Sequence, residues 1–127
     1  MMMAPAEVDH RPLLLVEDDA DVRDAIAATL RDEGYVVAEA ENGRLALEWL
    51  QRNSDPCLVL LDLWMPVMSG MELRERMVQD PRLAALPLVV VSAAGDGKAR
   101  AEEMGAIGYL RKPLDLQDLL ATVERYC

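Results

Sequence analysis

The chain is poor in the residues that several function classes require. It has one histidine and two cysteines among 127 residues, so a zinc site built from three or four such ligands is poorly supported. Its 13 Lys and Arg are outnumbered by 23 Asp and Glu, for a formal charge of −10. Direct nucleic-acid binding, which draws on clustered basic side chains, is therefore not expected. The acidity favours solubility, and otherwise suits a basic patch on a partner. No apolar run approaches the ~20 residues of a membrane span. The first ten residues also lack an apolar core of signal-peptide length, so no membrane partner is expected. Cys57 opens an apolar stretch and Cys127 is the last residue. Nothing in their placement suggests a disulfide framework, and a reducing, cytoplasmic setting is expected. There is no internal repeat and no long linker. Residues 1–10 read as a loose tail and residues 11–127 as one domain with a single core.

Strand and helix patterns alternate through that domain. The first strand pattern covers residues 11–17. A helix follows with Val22, Ile26, Thr29 and Leu30 at helical spacing and Gly34 as its stop. Residues 35–38 read as a second strand. Asn42-Gly43 turns into a helix with Leu45, Ala46, Trp49 and Leu50 on one face. The run Leu58–Leu61, bounded by Pro56 and Pro66, is the third strand. Ser69 and Glu72 have capping-box spacing before a helix that buries Leu73 and Met77. Leu88–Val91 is the fourth strand, followed by a short helix over about residues 98–104. Residues 107–110 form the fifth strand. Asp115 caps a last helix striped by Leu116, Leu119, Leu120 and Val123. Near-continuous Val and Leu runs belong to strands covered on both faces, so the expected fold is α/β, a doubly wound parallel sheet of five β/α units.

The chemistry-bearing residues fall at strand ends. Asp62 closes the third strand, Asp18 and Asp19 follow the first, Ser92 follows the fourth and Lys112 follows the fifth. Open α/β sheets place their ligand crevice at these ends. Each residue has an ordinary explanation taken alone. Asp18 and Asp19 suit a helix start, Ser92 a loop, Tyr109 a half-buried aromatic and Lys112 a solvated surface. Together they form an acidic pocket for a cation and a phosphoryl group. A carboxylate attacks a phosphoryl group to form an acyl phosphate, and Mg²⁺ takes hard oxygen ligands.

The segments Leu-Val-Glu-Asp-Asp (15–19), Leu-Leu-Asp-Leu-Trp-Met-Pro (60–66) with Gly70, Val-Val-Val-Ser-Ala (89–93) and Gly-Tyr-Leu-Arg-Lys-Pro (108–113) closely resemble those of response regulator receiver domains, chemotaxis-regulator-like and single-domain. The likeness covers about residue 11 to the end. It implies a flavodoxin-like sheet of order 2-1-3-4-5 and phosphorylation of Asp62 by a sensor histidine kinase or a histidine phosphotransfer protein. It further implies Mg²⁺ held by Asp18, Asp19, Asp62 and the Trp64 backbone carbonyl, and Lys112 paired with phosphoryl oxygens. Ser92 and Tyr109 take the switch positions, and Lys112-Pro113 is implied to be cis. Output would pass through the surface of the fourth helix, fifth strand and fifth helix to an unknown protein partner, as a monomer or a phosphorylation-dependent dimer.

Two departures stand out. Trp64 is bulky for a position two residues past the acceptor, and the segment from Ser92 to Gly105 is short. The indole is expected to shield an acyl phosphate and slow its hydrolysis. His10, the only histidine, lies in the tail, which argues against a kinase or phosphotransfer role for the chain itself. Competing readings are a phosphorylation-independent interaction module with this fold, and a receiver fragment of a larger regulator or hybrid kinase. A small phosphatase would place a second acid where Trp64 stands, and the acidic crevice would repel a flavin phosphate. If the chain is complete, its output is a protein–protein contact, and it catalyses only its own phosphorylation and dephosphorylation.

Overall fold

The computed structural model describes residues 11–127, so the expected tail, His10 included, lies outside the described residues. Elements run β1 (Leu13–Val16), α1 (Ala20–Asp32), β2 (Val37–Ala40), α2 (Gly43–Arg52), β3 (Leu58–Asp62), α3 (Gly70–Met77), α4 (Pro81–Ala84), β4 (Leu88–Ser92), α5 (Gly97–Glu103), β5 (Gly108–Arg111) and α6 (Leu116–Tyr126). All pairings are parallel, and the five strands stand in the order β2-β1-β3-β4-β5, as the resemblance implies. Every residue of β1, β3 and β4 is buried, which is why their sequences are apolar without alternation. Alternate side chains then feed two cores. Leu13, Leu15, Leu58, Leu60, Val89 and Val91 pack under α1 and α6. Leu14, Val16, Val59, Leu61 and Leu88 face the layer that contains Leu50, Leu73 and Met77.

The boundaries differ from expectation where the chain wraps a helix end. β2 starts two residues later than the sequence pattern placed it. Gly34, at φ 93°, turns the chain so that the Tyr35 amide still donates to the Leu30 carbonyl, at 3.1 Å. Tyr35 therefore completes the helix terminus, and the Val36 carbonyl takes the first bond from β1, accepting the Leu13 amide at 2.8 Å. The short helix α4 was not expected. Asp80 caps it with Pro81 in its first turn, and Arg82 ties it to the Leu50 carbonyl at 2.8 Å. The capping box at Ser69 and Glu72 is formed in both directions. The short helix expected near residues 98–104 is α5, of 7 residues.

The expectation of unpaired cysteines is overturned. Cys57 and Cys127 form a disulfide, with Cα atoms 5.4 Å apart and a sequence separation of 70. Cys57 precedes β3 and Cys127 follows α6, and parallel topology brings the start of a central strand beside the end of the last helix. That adjacency is tertiary and leaves no local mark. Among the described residues, no helix is long and apolar enough to cross a membrane.

Candidate functional site

Parallel register sets four chemical groups on one rim of the sheet. Val16 is level with Leu61, Asp62 with Val91, and Ser92 with Arg111. The ladder continues past the strand ends, with the Glu17 amide on the Ala40 carbonyl and the Lys112 amide on the Ser92 carbonyl, both at 3.0 Å. Glu17, Asp62 and Ser92 are all buried, at 2%, 8% and 1% exposure. Buried carboxylates are costly unless paired, and Lys112 supplies the pairing. Its Nζ contacts Glu17 Oε1 and lies 3.3 Å from Asp62 Oδ2. Burial works against the Lys112 charge, but the Glu17 hydrogen bond and the charges of Asp62 and Glu17 outweigh it and raise its pKa. Asp18 joins the group from the exposed side. Burial beside the neighbouring Glu17 raises its pKa. Carboxylate oxygens of Glu17, Asp18 and Asp62 lie within 4.8 Å of one another.

Asp19 is placed differently from expectation. Its carboxylate caps α1, accepting from the amides of Asp21 and Val22 at 3.0 and 3.2 Å. The acid that joins Asp18 and Asp62 is Glu17, whose Oε2 also accepts the Asp19 amide at 3.1 Å. The apolar run ends at Val16, so the next side chain enters the rim and the third acid begins the helix.

The loop from Leu63 to Ser69 is built tightly around Asp62. The Gly70 amide donates to the Leu63 carbonyl at 2.8 Å. A Cβ on Gly70 would stand 2.4 Å from the Asp62 carbonyl oxygen, so only glycine lets α3 start this close. Val67 holds φ 71°, a strained conformation for a β-branched residue. Such outliers cluster at functional sites.

Ser92 and Tyr109 meet beside the start of α5. Ser92 Oγ accepts from the Ala94 amide at 3.1 Å, and the Tyr109 hydroxyl donates to the Ser92 carbonyl at 3.2 Å. Tyr109 is half-buried, with its hydroxyl bonded inward. Gly97 leaves it room, since a Cβ there would fall 2.9 Å from the Tyr109 ring. Trp64 is 51% exposed, and the Arg100 guanidinium carbon lies 5.1 Å from its ring centroid. Arg100 is held in turn by Asp96 at 2.6 Å.

A sequence profile of the response regulator receiver domain matches residues 13–124. The chain belongs to this family. The receiver is 36% identical, over 99% of its length and 95% of the relative's, to a 14.6 kDa protein from the sodA1 3′ region of Leptolyngbya boryana. It is 34% identical to the phosphate regulon transcriptional regulatory protein PhoB of Pseudomonas aeruginosa, over 90% of this chain and 50% of that one. The chain thus spans about half the length of that regulator. Among solved structures, the response regulator TrrA of Thermotoga maritima, in complex with Mg²⁺ and BeF, superposes with TM-score 0.81 at 25% identity, over 92% of this chain and 99% of that one.

The receiver's donor set fits Mg²⁺. Three clustered carboxylates repel one another in the absence of a cation, and hard oxygen donors are what Mg²⁺ takes. Glu17 is the member that residue-level reading missed. Its one mark in the sequence, following an apolar strand, separates it from Asp18 and Asp19 only once the end of β1 is known. Glu17→Gln is expected to weaken Mg²⁺ binding by at least about tenfold. Asp19→Ala is expected to leave Mg²⁺ affinity nearly unchanged and to cost about 1 kcal/mol of stability, the worth of a helix cap. Calorimetric Mg²⁺ titration beside thermal melts separates the two, and the opposite ranking would return Asp19 to the pocket.

Proposed function

We propose that this receiver accepts a phosphoryl group on Asp62 from a sensor histidine kinase or histidine phosphotransfer protein. The observation that carries the reading is the convergence of Glu17, Asp18 and Asp62 with Lys112 on one sheet rim. An Asp62 carboxylate oxygen attacks phosphorus, the phosphorus–nitrogen bond of a phosphohistidine breaks, and its electron pair returns to the imidazole. Phosphoryl transfer depends chiefly on positioning and charge neutralisation. Bound Mg²⁺ supplies the positive charge that lets two anions meet. Glu17, Asp18, Asp62 and the Trp64 carbonyl provide its protein oxygens in this reading. Lys112 shifts from Glu17 towards the new phosphoryl oxygens, and the Ser92 hydroxyl turns to donate to one of them.

The pull on Ser92 reaches Tyr109 through the carbonyl it already holds, and so the surface of α5, β5 and α6. Those elements correspond to the expected output face. A donor protein also needs a footing near Asp62. A groove of about 570 Å³ lined by Val22, Ile26, Pro113, Leu114 and Leu116 runs up to Lys112 itself, and its apolar walls suit a helix of the donor. In this reading the domain catalyses only its own phosphorylation and dephosphorylation.

Incubation with phosphoramidate, followed by intact mass, tests the assignment. Wild type is expected to gain one phosphoryl group only when Mg²⁺ is present, and Asp62→Asn to gain none. A gain that survives in Asp62→Asn, or that ignores chelation of the metal, would overturn it. No gain together with no Mg²⁺ binding would favour a constitutive interaction module, and no gain with Mg²⁺ still bound would point to Trp64 blocking small donors. The same assay tests Trp64. Trp64→Ala is expected to shorten the phosphoryl lifetime several-fold by admitting water, and an unchanged lifetime would remove the shielding role.

A further inference from the structure

The disulfide lies at the opposite end of β3 from Asp62, and nothing in phosphoryl transfer uses it. We propose that Cys57 and Cys127 form a reversible redox modification site. In its closed form it clamps the last turn of α6 to the sheet, as an input separate from phosphorylation.

Three observations carry this. First, α6 has little other anchorage at its end. Its buried side chains are Leu119 and Val123, Glu124 and Arg125 are exposed, and beyond them only Tyr126 and Cys127 pack against the core. Second, the two cysteines differ in exposure as residues. Cys57 is 2% exposed, whereas Cys127 is half-buried at the helix end, so an incoming thiolate has one sulfur to attack. Third, the fold accommodates the reduced form. Cys57 Sγ lies 3.6 and 3.7 Å from the carbonyl oxygens of Arg11 and Pro12, which are acceptors for an S–H.

Opening needs a dithiol reductant. Its thiolate attacks Cys127 Sγ, the protein S–S bond breaks, and Cys57 leaves as a thiolate that takes a proton. The reductant's second thiol then displaces Cys127, so two electrons enter the protein and the reductant ends as a disulfide. Closing reverses the sequence against a small disulfide such as oxidised glutathione. The effect falls on the output face. Arg125 and Tyr126 line a cavity of about 340 Å³ with Tyr109 and Leu110 of β5. Freeing Cys127 loosens that wall while the Asp62 rim stays as it is.

The full chain, kept folded, is equilibrated in glutathione buffers of graded oxidation, trapped by alkylation and weighed intact. The closed fraction is expected to follow the buffer. Hydrogen exchange over residues 120–127 is expected to be several-fold faster in the reduced protein and in Cys127→Ser than in the closed form, with residues 58–62 protected in all three. A pair that stays closed in excess dithiothreitol until the protein unfolds would overturn the proposal. So would a pair that never closes, or equal exchange in closed and open forms. Cys127→Ser keeps the test decisive if Cys57→Ser fails to fold.

Discussion

Gly70→Ala is expected to lower the melting temperature by about 10 °C, on the order of 3 kcal/mol for a domain of this size. The reason is specific to the contact. The added methyl would meet the Asp62 carbonyl oxygen at 2.4 Å and the Leu63 Cα at 3.0 Å. Both are backbone atoms of a buried strand end and have no rotamer to retreat into. Relief must come from moving α3, breaking its capping box, or from moving Asp62. The variant should therefore also lose phosphoryl incorporation in whatever fraction remains folded. Gly95→Ala is the control, since nothing lies within 4 Å of a Cβ there. Melting curves of the two variants decide the matter, and equal midpoints would refute the packing argument.

Lys112→Met carries the second large effect, and its signs diverge. The methionine keeps most of the stem but removes the one cation that Glu17 and Asp62 share. Breaking a buried pair by deleting one partner costs about 3–5 kcal/mol when the remaining charges stay dry, so the variant should be clearly destabilised without Mg²⁺. Mg²⁺ affinity should rise, because a competing positive charge has left the carboxylates. Phosphoryl incorporation should nevertheless fall by about a hundredfold or more, the usual loss when one charge-stabilising donor is removed. Calorimetry and intact mass read the two directions separately, and a parallel fall in both would mean that Lys112 only organises the metal ligands. Alkaline stability gives a further check. The Lys112 pKa is raised in the fold, so its contribution is fully present below the ordinary lysine value of about 10.5 and is lost as pH climbs through the higher folded value. Wild type should lose that increment in strong alkali, and Lys112→Met should have none to lose.

The central strands were legible because burial on both faces leaves an unbroken apolar run, as in Leu58–Leu61. Asp62 and Ser92 were legible for the same reason, since each is the polar residue that closes such a run, whereas Lys112 was read as the lysine just past the strand pattern over residues 107–110, although β5 is only half-buried. Three features were not. An acidic triplet has no internal period, so Glu17, Asp18 and Asp19 could be assigned to pocket and cap in two registers, and only the exact end of β1 separates them. The start of β2 depends on how Gly34 lets Tyr35 bond back to Leu30. The bond between Cys57 and Cys127 joins positions 70 apart that share no local pattern. Each miss is a place where tertiary geometry decides between locally equal options.

The stacking of Arg100 on Trp64 has an optical consequence. The chain has two tryptophans. Trp49, on α2, is partly buried against the core and is expected to give a steady background. Trp64 is half open to water, two residues from Asp62, the proposed phosphoryl acceptor, with a cation over its ring. Any movement of that loop or of α5 changes both the polarity and the quenching around the indole. The emission spectrum of the unlabelled protein is thus a gauge of the pocket, readable in real time and at concentrations where mass or calorimetric assays are slow.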